Sequence, residues 1–281
     1  MSGDSSLARV LRTPRGAVSA AVLLLLVLGA VFAPMISPFG YADQNLPLAN
    51  SAPSTRHWLG TDEFGRDLLS RIIHGARTSL AVGTISIGIS MLFGIVLGAT
   101  AGYFGGAFDR AVTSIVDLTW SFPEILIALI LIAILGPGLQ STAVAIAIGY
   151  LAQFTRLTRA QVMSLRGETY VEATINLGAT HAHVLFRHLL PNAITPVIVA
   201  GMLATGNAIV LEATLGFFGL GAQPPTPSWG AMMSSGTAQI FIAPWIIIFP
   251  GVAIAVTVIA INLFGDALID ALDIRSRLRT G

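Results

Sequence analysis

Long stretches without a single Asp, Glu, Lys or Arg divide this chain, residues 16–42, 78–108 and 213–265 among them. A helix needs about 20 mostly apolar residues to cross a bilayer core, and each of these runs is long enough. Only 10% of the 281 residues are charged, where a soluble domain carries about a quarter. So few charges cannot cover a water-exposed surface of this size. Most of the chain must face lipid or protein.

The runs and their punctuation predict six membrane helices. The first lies in residues 16–37 and ends near Pro34 and Pro38. The second lies in 78–108 and stops at the turn-rich Gly-Tyr-Phe-Gly-Gly of 102–106. The third runs from about Arg110 to Leu135, interrupted by Asp117 and Glu124, before the tight turn Gly136-Pro137-Gly138. The fourth follows from about Ser141 to Arg159, and the fifth from about Asn192 to Leu215. Residues 216–244, rich in Gly, Pro and Ser, read as a loop, and the sixth helix runs from about Trp245 to Leu268. The first run could be mistaken for a secretory signal, since Arg9, Arg12 and Arg15 precede it. Residues 16–42 exceed the ~7–15 residue core of such a signal, and no Ala-x-Ala site follows, so it reads as a retained helix.

An even number of spans puts both ends on one side, and Arg placement says which. With the N-terminus inside, inner segments hold Arg9, Arg12, Arg15, Arg110, Arg156, Arg159, Arg166, Arg187, Arg275, Arg277 and Arg279, while outer segments hold only Arg56, Arg66, Arg71 and Arg77. Positive charge accumulates in the cytoplasm. The expected layout is therefore a cytoplasmic N-terminus over 1–15, the first helix over 16–37 and an external loop over 38–77 with an amphipathic helix. A five-helix core follows over 78–274, with an inner loop at 160–191 and an outer loop at 216–244, and a cytoplasmic tail closes the chain over 275–281.

Several functions are excluded. There is no cysteine, hence neither disulfide nor thiolate chemistry. All 15 basic residues are Arg, so a P-loop, which needs Lys on the phosphates, is missing. His181 and His183 are two apart and point to different helix faces, which is poor metal geometry. No catalytic constellation and no nucleic-acid-binding patch is visible.

The inner segment 165–191 is the informative one. It is amphipathic on both sides of Gly178. A Gly there ends one helix, and Thr180 is placed to cap the next. The expected result is two short helices meeting in a corner parallel to the membrane. Such a corner offers a knob to another protein; an amphipathic loop lying on lipid has the same periodicity. In residues 59–71, Asp62/Arg66 and Asp67/Arg71 have i,i+4 spacing, which predicts an ion-paired surface helix capped by Thr61, with a metal or anion site as the alternative. Pro224, Pro225, Pro227 and Trp229 make the outer loop stiff, as a contact surface for another protein or as a segment packed on its own helices. Asp117, Glu124 and Glu212 fall in or near spans. Acids there mark a polar path or pair with Arg at a subunit interface.

Residues 165–191 resemble the Glu-Ala-Ala loop of ABC importer permeases. Glu172, Ala173, Gly178, Leu190 and Pro191 stand at the family's spacing; Thr174 replaces the second Ala, and His188 stands where Ile is preferred. The stretches LGTDEFGRDLLSR (59–71), GARTSL (75–80), AGYFGG (101–106), SFP (121–123), LGPG (135–138), GFFGLGAQPPTPSWG (216–230) and FPG (249–251) resemble the dipeptide/oligopeptide/nickel permease family, C-type subunit. The resemblance implies an all-α, type I ABC importer permease fold in a bacterial or archaeal plasma membrane. It implies a translocation subunit, not an enzyme, for di- or oligopeptides, or for a nickel chelate, glutathione or another small solute. Its implied partners are a homologous B-type permease, two ATP-binding subunits and an extracytoplasmic substrate-binding protein. ATP and Mg would be bound by the partner subunits and no cofactor by this chain. It also implies that Glu172, Ala173, Thr174, Leu177, Gly178, Ala179, Thr180, His181 and His183 contact the ATPase. A channel or ion-coupled carrier would need a filter or midplane ion ligands, and neither is evident.

Overall fold

The computed structural model describes residues 6–277; the expectations placed on residues 1–5, on residues 278–281 and on Arg279 lie outside them. Within that range the chain is helical apart from its loops and one isolated bridge, Thr61 to Asp67. In chain order the helices are α1 (Ser6–Arg12), α2 (Pro14–Val31), α3 (Ala33–Ile36), α4 (Leu68–Phe104), α5 (Gly106–Trp120), α6 (Glu124–Leu135), α7 (Leu139–Arg166), α8 (Thr169–Asn176), α9 (His181–His183), α10 (Leu190–Phe217), α11 (Trp229–Gly236) and α12 (Trp245–Arg277). A π-helical stretch, Val184–Leu189, joins α9 to α10 without a break.

Four helices are long and apolar enough to cross a membrane: Pro14–Val31, Leu68–Phe104, His181–Phe217 and Trp245–Leu272. A fifth is the pair α5 and α6, bent by 93°. The third expected helix is thus not continuous. Pro123 has no N–H and restricts the residue before it, so the helix stops at Trp120 and restarts at Glu124. The fourth expected helix is α7. Its 28 residues would reach about 42 Å, yet Arg156, Arg159 and its many Thr and Gln residues keep it below the apolarity of a lipid-facing span. Its neighbours explain this. α4, α5, α6 and α10 pack against it, and Thr142, Thr155 and Thr158 are buried.

Small residues set the α4–α7 distance. Gly94, Gly98 and Gly102 recur every four residues on one face of α4. A Cβ at Gly94 would stand 2.5 Å from the Phe154 Cβ, one at Gly98 would overlap the Thr155 carbonyl oxygen, and one at Gly102 would stand 2.8 Å from the Arg159 carbonyl oxygen. Such stripes let helix backbones approach closely where lipid supplies no hydrophobic drive. Beside this seam lies the main apolar core, with Val82, Ile87, Ile132, Ile146, Phe154, Val197, Leu211 and Leu215. Val10 packs on Ala267 and Ala271, so α1 and the late turns of α12 meet at one end of the bundle.

The segment before α4 departs from the expected surface helix. α4 begins at Leu68, capped by Asp67, whose carboxylate accepts from the Ser70 N–H at 2.8 Å. Thr61 caps nothing; its hydroxyl donates to the Leu48 carbonyl. Asp67 pairs with His57 at 2.8 Å, and Arg71 turns to Asp62 at 3.2 Å, the carboxylate that also takes Arg66 at 2.6 Å. Asp62, Arg66, Asp67 and Arg71 are all buried. Gly65, at φ +71°, turns the chain so that Arg66 folds back over Asp62. The carboxylates of Asp62 and Asp67 are consumed by Arg, His and backbone N–H groups, which leaves no metal or anion site there. The outer loop also differs from expectation. Residues 229–236 form α11, and Trp229 is buried, its indole N–H donating to the Ile72 carbonyl at 3.1 Å.

Candidate functional site

The corner at 165–191 forms as its residues require, with one difference. α8 ends at Asn176, and Gly178 takes φ +83°, a left-handed conformation that Gly adopts without a Cβ penalty. Thr180 then caps the next helix, its hydroxyl accepting from the His183 N–H at 3.3 Å. That next helix is not short, because it continues through the π stretch into α10. Pro191 explains the wider turn. It lacks an N–H and its ring crowds the carbonyl four residues back, while the Leu190 N–H bonds the Leu185 carbonyl five residues back. The corner is therefore a rigid extension of a membrane helix.

Its inner side is anchored. Val171, Val184, Leu185 and Leu189 are buried against Ala99 and Tyr103 of α4, Val162 of α7 and Ala193 of α10. The Tyr103 hydroxyl lies 2.8 Å from His181 Nδ1, and the Arg166 guanidinium sits 5.9 Å from the Tyr103 ring centre. Its outer side is bare. Leu177 is 88% exposed, and Glu172, Ala173, Gly178, Thr180, His181 and His183 are exposed around it, with Thr174 and Ala179 half-buried. His183 leans toward His188, with ring centres 5.2 Å apart, so the two corner histidines do diverge. Among the described residues no group of three metal-ligating side chains occurs.

The three membrane acids separate. Asp117 is exposed and borders a small cavity of about 130 Å³ with Thr113, Thr155, Arg156 and Arg159. Arg159 is committed elsewhere, to a two-pronged pair with Asp109 at 2.5 and 2.7 Å. Glu124 is exposed at the start of α6 and borders a cavity of about 430 Å³ at the α5–α6 break. Glu212 is fully buried beside Ser79 and Ser228; in this conformation it faces the protomer's own packing and not an open path. A further cavity of about 500 Å³ lies where Tyr41, His74 and Arg77 meet Leu139, Gln140 and Thr226. Tyr103, Tyr150 and Arg156 carry no function in the sequence reading. Tyr103 lies in the AGYFGG stretch, but its partner His181 is 78 positions away, and no local pattern links them.

Comparison with known proteins gives the family and the fold. The family model for the inner membrane component of binding-protein-dependent transport systems matches residues 94–278, and that for the N-terminal TM domain of oligopeptide transport permease C matches residues 5–53. A dipeptide transport system permease protein from Alkalihalophilus pseudofirmus is 44% identical over 252 residues, 90% of this chain and 83% of the relative. A di/tripeptide transport system permease protein from Pseudomonas aeruginosa is 44% identical, covering 89% of this chain and 85% of the relative. A glutathione transport system permease protein from Pectobacterium atrosepticum is 41% identical, covering 94% and 88%. In structure the chain is similar to the MetNI methionine ABC transporter in an inward facing conformation, with a TM-score of 0.59 and 21% identity over 73% of this chain and 95% of the other. That likeness shows the type I importer permease fold.

Proposed function

The chain belongs to the family of inner membrane components of binding-protein-dependent transport systems, and we propose that it forms half of the membrane path of an ATP-driven importer of di- and oligopeptides. As a member, it is a multi-pass permease of a bacterial inner membrane and not itself an enzyme. In this reading a homologous permease completes the path, and two ATP-binding subunits hold ATP and Mg. An extracytoplasmic binding protein delivers the solute.

The observation that carries the mechanism is the corner around Gly178. It pairs a buried inner side fixed to α4, α7 and α10 with an exposed outer side centred on Leu177. An 88% exposed Leu at the end of a rigid helical lever is suited to a cleft on another protein. Closure of the two ATPases would move residues 172–183. Because the lever is continuous with α10, that motion becomes a tilt of membrane helices. ATP then favours one conformation only by its differential contact with the two states. In this reading Asp117 and Glu124, each beside a cavity, line the path.

Replacing Gly178 or Glu172 with Arg tests this. In proteoliposomes holding the complete complex, peptide uptake should fall by roughly tenfold or more while basal ATP hydrolysis persists, since a bulky charge at a desolvated contact costs on the order of 2 kcal/mol. Uptake at the wild-type rate in both variants would remove the docking role. A second solute class, glutathione, has support from the 41% identical relative and is separated by competition with dipeptide in the same assay.

A further inference from the structure

At residues 121–123 the chain leaves helical geometry, at the 93° bend between two helices that together are long and apolar enough to cross a membrane. Hydrocarbon offers no partner for freed backbone groups, so such a break lies against protein or faces a watery cavity. Here it borders the cavity of about 430 Å³, whose walls include Trp120, Ser121, Glu124, Gly149 and Gln153. That volume lies within the ~300–1,000 Å³ of small-molecule sites. Gly149 matters to its shape. A Cβ there would stand 3.8 Å from the Glu124 Cβ, so the bare backbone of α7 leaves space facing the acid.

Glu124 is the ionisable group in this wall, and it has no ion pair among the described residues. Its hydrogen-bond partner is the Tyr150 hydroxyl, which donates at 3.4 Å. Arg156, about one turn further along α7 than Gln153, does not supply the countercharge; its guanidinium sits 4.8 Å from the Trp120 ring centre. An acid within a span that faces a cavity and lacks a cation marks a solute or ion route. An acid at the first turn of a helix also favours the helix dipole, which explains why Glu124 is tolerated there but not why α7 stands back from it.

We propose that the notch at the α5–α6 break is a transient subsite for the primary ammonium group of the transported solute, with Glu124 as countercharge and Gln153 and the Tyr150 hydroxyl as polar neighbours. The inference rests on the transport reading above and names the part of its solute that is held, the ammonium group that dipeptides, oligopeptides and glutathione share. Weak holding suits a path. One exposed carboxylate attracts an ammonium group without the several desolvated contacts that would trap it.

The test uses the complete complex with its binding protein in proteoliposomes. Glu124→Gln keeps the shape and removes the charge; Glu124→Asp keeps the charge. The proposal expects Glu124→Gln to lower dipeptide uptake per ATP hydrolysed by roughly tenfold, the scale of one lost charge-assisted hydrogen bond. Assembly of the complex should stay unchanged, and Glu124→Asp should restore most of the uptake. In the wild-type complex a hydrophobic carbodiimide should modify Glu124, and saturating dipeptide should protect it while sodium ions should not. Uptake by Glu124→Gln at the wild-type level overturns the proposal, as does protection by sodium alone. Loss of assembly in step with uptake makes Glu124 an interface residue and also overturns it. A wild-type complex that imports no peptide overturns the transport reading before any variant is made.

Discussion

At the scale of residues, Gly178 turns the chain at φ +83° and the Thr180 hydroxyl accepts from the His183 N–H, so two neighbouring residues make the corner. Gly178 as the bend and Thr180 as the cap followed from residue type and position, and both are in place. In the charged stretch 59–71 the expected Asp62–Arg66 pair forms, but Asp67 pairs with His57 in place of Arg71, and the surface helix that i,i+4 spacing presumes is absent. Its first residues are instead in a tight turn, and Asp62 gathers Arg66 and Arg71 inside the protein. This cluster makes a sharp prediction. Asp62→Asn leaves two buried guanidinium groups short of their countercharge, and removing one partner of a buried pair costs about 3–5 kcal/mol. The variant should show a clear drop in thermal unfolding temperature in detergent, or fail to accumulate in the membrane. Glu63→Gln is the control, since its contact with Arg66 is a longer 3.4 Å; it should change little. Tyr103→Phe addresses the corner. It removes the hydroxyl bonded to His181 and leaves the ring packed. Stability should fall by only about 1 kcal/mol, while uptake per ATP hydrolysed should fall more than stability does. An unchanged transport ratio would limit Tyr103 to packing.

At the scale of elements, the apolar runs located helices but not their continuity. SFP marked a motif in the sequence without disclosing a 93° bend, because Pro at one position is compatible with a kink or a stop, and the neighbouring helices decide. α7 shows the reverse case. The sequence predicts it as a span, yet it is too polar for a lipid-facing one, and α4, α5, α6 and α10 pack against it. The Gly94–Gly98–Gly102 spacing was present in the sequence and is the readable sign of that packing. It predicts that Gly98→Leu forces α4 and α7 apart against the Thr155 carbonyl. Overpacking typically costs about 1–3 kcal/mol, and a backbone clash belongs at the upper end. Gly88, whose Cβ would meet nothing within 4 Å, is the comparison site. Gly88→Ala should leave the yield of folded complex unchanged, and Gly98→Leu should abolish most of it. Equal yields would mean that the α4–α7 seam can widen without loss.

At the scale of the whole molecule, orientation in the membrane is the feature on which the mechanism depends. On the Arg distribution we propose that the 165–191 corner lies inside the cell and the Asp62 cluster outside. α1 packs on the late turns of α12, and the corner packs on Tyr103 at the far end of α4 from Leu68. Because the chain has no cysteine, single Cys probes report without background. Thr55→Cys, exposed in the segment before α4, should react with a membrane-impermeant maleimide in intact spheroplasts. Asn176→Cys, exposed at the end of α8, should react only after permeabilisation. Assembly with the ATPases should then shield Asn176→Cys even in permeabilised membranes, while Thr55→Cys remains reactive. Reaction of Asn176→Cys from outside would reverse the topology and detach the corner from any cytoplasmic ATPase. Reaction in permeabilised membranes that is indifferent to the ATPases would keep the topology and reject the docking face, because Asn176 adjoins the exposed Leu177 at its centre.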